Sequence, residues 1–237
     1  MGTEKSSGRV AVITGGFGAL GRVVATTAVA RGYSIAVPGH SAKPPAGVAE
    51  TLGPNALVLG GVDLTDEAAA KSAMEAVMAR FGRIDVLFNI AGGFRSTKIA
   101  DSHQSDLELM FRMNVQTTAN AARAAIPALK ASPAGRIVNV GALAAEKAGA
   151  GMGPYAASKA AVHRLTEALA EELKDAGITV NAVLPSTIDT PQNRADMPKA
   201  DVSRWIAPAD LAEVMLFLAS ENAKAITGAL IPVRGRV

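Results

Sequence analysis

Arg9-Val-Ala-Val-Ile-Thr14-Gly-Gly-Phe-Gly-Ala-Leu-Gly21 opens on a short apolar run, passes through a glycine-rich turn, and continues into a helical pattern from about Leu20 to Arg31. A strand, a tight glycine turn and a helix in immediate succession form the setting in which such glycines receive a dinucleotide, because backbone N-H groups and the helix dipole at that helix start attract a pyrophosphate. Two registers fit the run, Gly16-x-Gly18-x-x-Gly21 and Thr14-Gly15-x-x-x-Ala19-x-Gly21, and both end on Gly21. Gly15, Phe17, Gly18, Ala19, Leu20 and Gly21 are therefore candidate cofactor contacts.

The same alternation runs along the rest of the chain. Strands are expected at Ser34 to Val37, near Ala56 to Leu59, at Ile84 to Asn89, Arg136 to Val140, Thr179 to Leu184 and Ala229 to Val233. Helices are expected at Asp66 to Phe81, from Asp101 to Ala131 with a bend near Pro127, from Tyr155 to Asp175 and from Asp210 to Ser220. Short apolar strands alternating with helices imply an α/β protein with a doubly wound parallel sheet and helices on both faces. In such sheets ligands sit beyond the carboxyl ends of the strands, where the winding reverses. No repeat or composition shift marks an internal boundary, so residues 9–237 are expected to form one domain behind a flexible tail, Met1 to Gly8.

Composition narrows the function. Of 237 residues 49% are hydrophobic, enough for a large core, and no run of about eighteen apolar residues suggests a membrane span. With a polar beginning, a cytoplasmic location is expected. The absence of cysteine excludes thiol chemistry, and three scattered histidines, His40, His103 and His163, argue against a metal site. The net charge of +3 is spread along the chain and aromatic residues make up only 4%, so nucleic-acid binding is not expected.

Tyr155-Ala-Ala-Ser-Lys159 carries the candidate chemistry. Residues four apart share a helix face, so the phenol of Tyr155 and the ammonium of Lys159 can enter one cleft. At about 4 Å and an effective dielectric of roughly 20 the cation favours a phenolate by on the order of 4 kcal/mol before desolvation. On its own the pair also fits an exposed amphipathic helix; the surrounding pattern decides.

The glycine turn, Asp63 after a strand, Asn89-Ile-Ala-Gly92, Asn114, Tyr155-x-x-x-Lys159 and Pro185-x-x-x-x-Thr190 resemble, in order and spacing, the short-chain dehydrogenases/reductases, over essentially all of Arg9 to Val237. The resemblance implies a Rossmann-type fold and an NAD(P)-dependent oxidoreductase. It implies that Asp63 and Leu64 border the adenine, that Asn89, Ala91 and Gly92 line the ribose side, and that Pro185, Ile188 and Thr190 face the nicotinamide. Tyr155 would be the acid/base, Lys159 would lower its pKa and bind the nicotinamide ribose, and Asn114 would anchor a water in the proton relay. After the second strand Val37-Pro-Gly-His-Ser41 lacks the carboxylate that binds an unphosphorylated adenosine ribose. His40, with Ser41 and Lys43, is suited to a 2'-phosphate, so NADP(H) is favoured and NAD(H) is the alternative.

One position departs from the family. The serine usually found thirteen residues before the tyrosine is Ala142 here. Loss of one such donor is expected to cost orders of magnitude in rate for a ketone whose oxygen becomes negative as hydride arrives. Pro185 to Trp205 resembles the same segment of the quinonoid dihydropteridine reductases, which also carry alanine at that place. Their resemblance implies a small conjugated or quinonoid acceptor, covered by residues 190–207, with Ala142, Asn193, Arg194, Met197 and Trp205 beside it. A carbonyl reductase resembling the 3-oxoacyl-carrier-protein reductases is the alternative, and a dinucleotide-binding sensor without catalysis is the alternative of another class. Alanine-rich helices that the family pairs between subunits imply a homodimer or homotetramer.

Overall fold

The computed structural model describes residues 8–237; the expected tail lies outside them except for Gly8. Seven strands form one parallel sheet in the order β3-β2-β1-β4-β5-β6-β7: β1 Val10–Ile13, β2 Ser34–Pro38, β3 Ala56–Leu59, β4 Val86–Asn89, β5 Arg136–Val140, β6 Thr179–Pro185 and β7 Leu230–Val233. Between them run α1 Ala19–Ala30, α2 Val48–Leu52, α3 Glu67–Phe81, α4 Gln104–Phe111, α5 Thr117–Ala131, α6 Gly153–Leu173, α7 Pro191–Asp196 and α8 Pro208–Leu218. This is the doubly wound sheet the alternation implies. The winding reverses between β1 and β4, where Val12 pairs with Leu87 and Ile13 with Phe88.

Alternate residues of each strand feed two cores. Ile13, Ile35, Phe88, Val138 and Val183 pack with Leu20, Val24 and Ala28 of α1 and Leu211, Met215 and Leu216 of α8. Val12, Leu87, Ile137 and Val180 face the other way, against Met74 and Val77 of α3, Ala125 and Leu129 of α5, and Ala170 and Leu173 of α6. Both faces of the central strands are dry, so they read as continuous apolar runs. Asp66 caps α3 by accepting from the Ala69 N-H, and Gly82 ends it in the left-handed conformation.

The helix expected from Asp101 to Ala131 is divided, and not at Pro127. That proline lies inside α5, while the break is a π-helical turn at Arg112–Gln116 between α4 and α5. Asn114 stands in this turn, fully buried. Its Oδ1 accepts from Gly93 N-H at 2.9 Å, and its Nδ2 donates to Gly93 O at 3.1 Å and to Ser158 Oγ at 2.9 Å. A single-turn π segment at a functional position is a recurrent device. Among the described residues no helix is long and apolar enough to cross a membrane.

Candidate active site

A cleft of about 990 Å³ opens beyond the carboxyl ends of β1, β2 and β4. Its floor is the glycine turn. Gly15 has φ +66°, and a Cβ there would lie 2.9 Å from Ala91 N; at Gly21 a Cβ would lie 2.3 Å from Gly15 O. Both registers of the motif thus reflect one constraint, a turn folded too tightly for side chains. Gly18 stands at the N-cap of α1 without a side-chain cap, which leaves first-turn amides available at the cleft wall. These features fit a pyrophosphate. Gly39 is backed by Phe17, whose ring occupies the place of any Cβ, 2.2 Å from its Cδ2.

Of the expected cofactor residues, the glycine-turn set of Gly15 and Phe17 to Gly21, with His40, Asp63, Leu64, Ala91, Gly92, Ile188 and Thr190, lines this cleft. Asn89, Pro185, Tyr155 and Lys159 do not. Asn89 is buried at the end of β4, donating from Nδ2 to Asn139 Oδ1 at 2.9 Å, and Asn139 donates to Thr166 Oγ1 at 2.8 Å. Pro185 is buried in β6 opposite Val233. Ser41 joins His40 at the cleft, whereas Lys43 stays outside. The Asp63 carboxylate accepts from Thr65 N-H at 2.9 Å and Thr65 Oγ1 at 2.8 Å. Those bonds, with His40 and Arg112 in electrostatic reach, hold its pKa below the usual value.

At the far end the cleft reaches Gly92, Met113 and Val140. A Cβ on Gly92 would lie 2.5 Å from Asn114 Oδ1 and 3.5 Å from Lys159 Nζ, so the loop after β4, the π turn and α6 converge there. Lys159 is 6% exposed and donates from Nζ to Val140 O at 2.7 Å. Burial lowers its pKa to about 8. Tyr155, one helical turn earlier, meets Phe94 edge to face, with ring centroids 4.9 Å apart and an interplanar angle of 86°. Burial pushes its pKa up to about 12. The lowering expected from Lys159 does not appear: burial disfavours the charged phenolate, and the Lys159 ammonium is directed at the Val140 carbonyl.

The expected substrate residues are not gathered at the cleft. Arg194 forms a two-pronged ion pair with Asp189, Nε to Oδ1 at 2.5 Å and a terminal nitrogen to Oδ2 at 2.8 Å. Asn193 donates from Nδ2 to Ile188 O at 2.8 Å. Met197 is exposed and Trp205 half-buried, and neither lines the cleft; Pro191 and Gln192 of the same segment do. Ala142 is buried at 3% exposure just past β5 and presents only a methyl group. Arg22, Phe94, Leu109, Met113 and His163 are additions. Arg22 follows the last glycine of the motif and Phe94 follows Gly92-Gly93, so both were legible by position; His163 had only its four-residue spacing from Lys159 as a signal.

A dinucleotide-sized cleft at the switch point of a parallel sheet, with Lys159 Nζ close behind Gly92 at one end and Tyr155 one helical turn away, defines a nicotinamide-dinucleotide oxidoreductase of the α/β class. The family model described as short chain dehydrogenase matches residues 9–201, and the chain belongs to that family. It is 31% identical over 236 residues to a 3-oxoacyl-(acyl-carrier-protein) reductase FabG of Salmonella typhimurium, covering 96% of each chain. The Escherichia coli K12 protein of that name is 30% identical over the same length and coverage. Among solved structures, a short-chain type dehydrogenase/reductase from Mycobacterium ulcerans superposes with a TM-score of 0.91 at 27% identity, over 97% of this chain and 90% of that one. A 3-ketoacyl-(acyl-carrier-protein) reductase from Brucella melitensis complexed with NADH gives 0.88 at 29% identity, over 97% and 98%. The protein is an NAD(P)-dependent oxidoreductase that binds a nicotinamide dinucleotide; three of these relatives are named as 3-oxoacyl or 3-ketoacyl reductases and none as a dihydropteridine reductase.

Proposed function

We propose that the chain reduces a small carbonyl compound, of the 3-oxoacyl kind that its relatives are named for. The observation that carries this is the convergence of Asn114, Lys159 and Gly92 at one end of the dinucleotide cleft, with Tyr155 one turn away on the same helix face. Held along the glycine turn between Gly18 and Gly92, NAD(P)H would supply the hydride for the acceptor carbon. Tyr155, protonated at neutral pH, gives its proton to the acceptor oxygen, and the ammonium of Lys159 supports the phenolate left behind. Asn114 ties the Gly92–Gly93 loop to α6 through Ser158 and so fixes the distance between the two halves of the site.

A second reading rests on Ala142. No hydroxyl stands there, and Ser158 on the same helix as Tyr155 donates its own proton to Tyr155 O at 2.7 Å. An acceptor that spreads charge over a conjugated or quinonoid system needs less from an oxyanion donor. Turnover of NADPH and NADH with an acetoacetyl thioester and with a quinonoid dihydropterin separates the two. Tight dinucleotide binding with neither substrate turned over favours a sensor and defeats both.

For the cofactor, NADP(H) preference is supported by Arg22, His40 and Ser41 at the cleft wall and by the lack of a carboxylate after β2. Assembly as a homodimer or homotetramer is supported by the exposed Leu107 and Phe111, one turn apart on α4. Light scattering at micromolar concentration tests it, a monomeric mass being the contrary result.

A further inference from the structure

Three side chains of α6, Thr166, His163 and Lys159, reach the end of β5 and the turn that follows it. Thr166 accepts from Asn139 Nδ2 at 2.8 Å, Lys159 donates to Val140 O at 2.7 Å, and His163 Nε2 accepts from Ala142 N-H at 3.3 Å. His163 is 4% exposed. Its ring lies flush on Gly141, where a Cβ would come 2.5 Å from Nε2, so the glycine is required for the imidazole to reach the main chain. Gly141 N-H is in turn donated to Val183 O at 2.9 Å, which leaves the Ala142 amide as the next point at which the turn must be held.

We infer that His163 is a positioning residue for the reaction: with Nε2 bare, it accepts from Ala142 N-H and holds the Val140–Ala142 turn so that the Val140 carbonyl stays in place for Lys159. An amide N-H can only donate, so this geometry requires the tautomer with its proton on Nδ1. A second proton would put two donors face to face and release the turn. The imidazole also borders a second cavity of about 460 Å³, lined by Glu146, Ala160 and Arg164 among others, none of which lines the dinucleotide cleft.

Burial lowers the pKa of His163 from its ordinary 6.5, with Arg164 and Lys159 acting in the same direction and Glu146 and Glu167 opposing. Glu146 itself faces Arg234 beyond β7 at 3.7 Å, and β6 offers only Val183 and the aliphatic Leu184 beside the turn. The neutral, accepting form thus prevails at neutral pH and is lost as pH falls through a value below 6.5.

The inference rests on the reductase reading for its kinetic arm only. Long-range nitrogen-proton correlation NMR of the intact protein is expected to show His163 with Nδ1 protonated and Nε2 bare at neutral pH. A proton on Nε2 overturns the inference whether or not the protein turns over any acceptor, and whether or not the variants fold. In the kinetic arm, His163→Leu is expected to lower kcat by at least about tenfold while changing the Kd for NADPH less than about twofold. His163→Gln, whose carbonyl accepts and does not titrate, is expected to restore kcat and remove the acid limb of the pH profile. Wild-type kcat in the leucine variant, or an unchanged acid limb in the glutamine variant, contradicts it.

Discussion

Phe94 meets the Tyr155 ring edge to face at 4.9 Å while remaining 52% exposed. An aromatic side chain left half in water beside the proton donor is placed to touch whatever enters from that side. An edge-to-face pair contributes about 0.5–1.5 kcal/mol beyond burial, enough to hold the phenol in one rotamer. Phe94→Ala is expected to lower kcat/KM by about tenfold through both terms, with little change in Tm because so much of the ring is exposed. Steady-state kinetics and thermal melts on the same preparation check this, and a large fall in Tm counts against it.

Lys159 sets a pH dependence of stability. Its folded pKa is about 8 against an ordinary 10.5, so the unfolded chain binds more protons between those values and stability rises with pH across that window. Lys159→Met abolishes that slope. At pH 7 the variant is expected to gain on the order of 1–3 kcal/mol, the relief of burying a charge less the hydrogen bond to Val140. It loses most of its activity at the same time. Denaturant unfolding at several pH values provides the measurement.

The same shift bears on catalysis. Lys159 is charged below pH 8 and loses its proton as pH rises through about 8, so reduction is expected to decline above that value. Tyr155, at about 12, stays protonated across this range and supplies no alkaline-side limb of its own. A pH profile of kcat/KM that is flat to pH 10 is inconsistent with this assignment.

Ala142→Ser decides between the two substrate readings. A hydroxyl introduced beside the Gly141 turn is expected to raise reduction of an acetoacetyl thioester by about 10–100-fold and to leave a quinonoid acceptor nearly unaffected. Unchanged thioester rates argue that the pocket is shaped for something else.

Cofactor choice is tested at Arg22 and His40. Replacing both by alanine is expected to lower kcat/KM for NADPH by about 10–100-fold while NADH changes little. Equal losses for both cofactors contradict a 2'-phosphate contact.

Local sequence carried the sheet well, because each central strand is buried on both faces and its run is mostly apolar, with only buried Asn89, Asn139 and Asn181 and the end residues Arg136 and Thr179 as polar residues. It misjudged 101–131 because the apolar spacing is continuous there and the only visible breaker was Pro127. At the π turn Met113 and Asn114 pack onto Gly92 and Gly93, a contact across about twenty residues that no local window contains. The partner of Lys159 was hidden for a similar reason, since the Val140 carbonyl is main chain and carries no residue code. Asn193 and Arg194 looked free in sequence because their acceptors, Ile188 O and Asp189, become neighbours only once the loop turns into α7.

The central claim is that the phenol of Tyr155 delivers the proton at a nicotinamide-dinucleotide cleft. Tyr155→Phe removes one oxygen and nothing else from the site. Calorimetric titration with NADPH and reductase turnover, measured on variant and wild type together, are expected to give matching Kd values and a fall in kcat of at least about a thousandfold. Wild-type turnover in the variant, or failure of the wild type to bind either NADPH or NADH, would contradict the account.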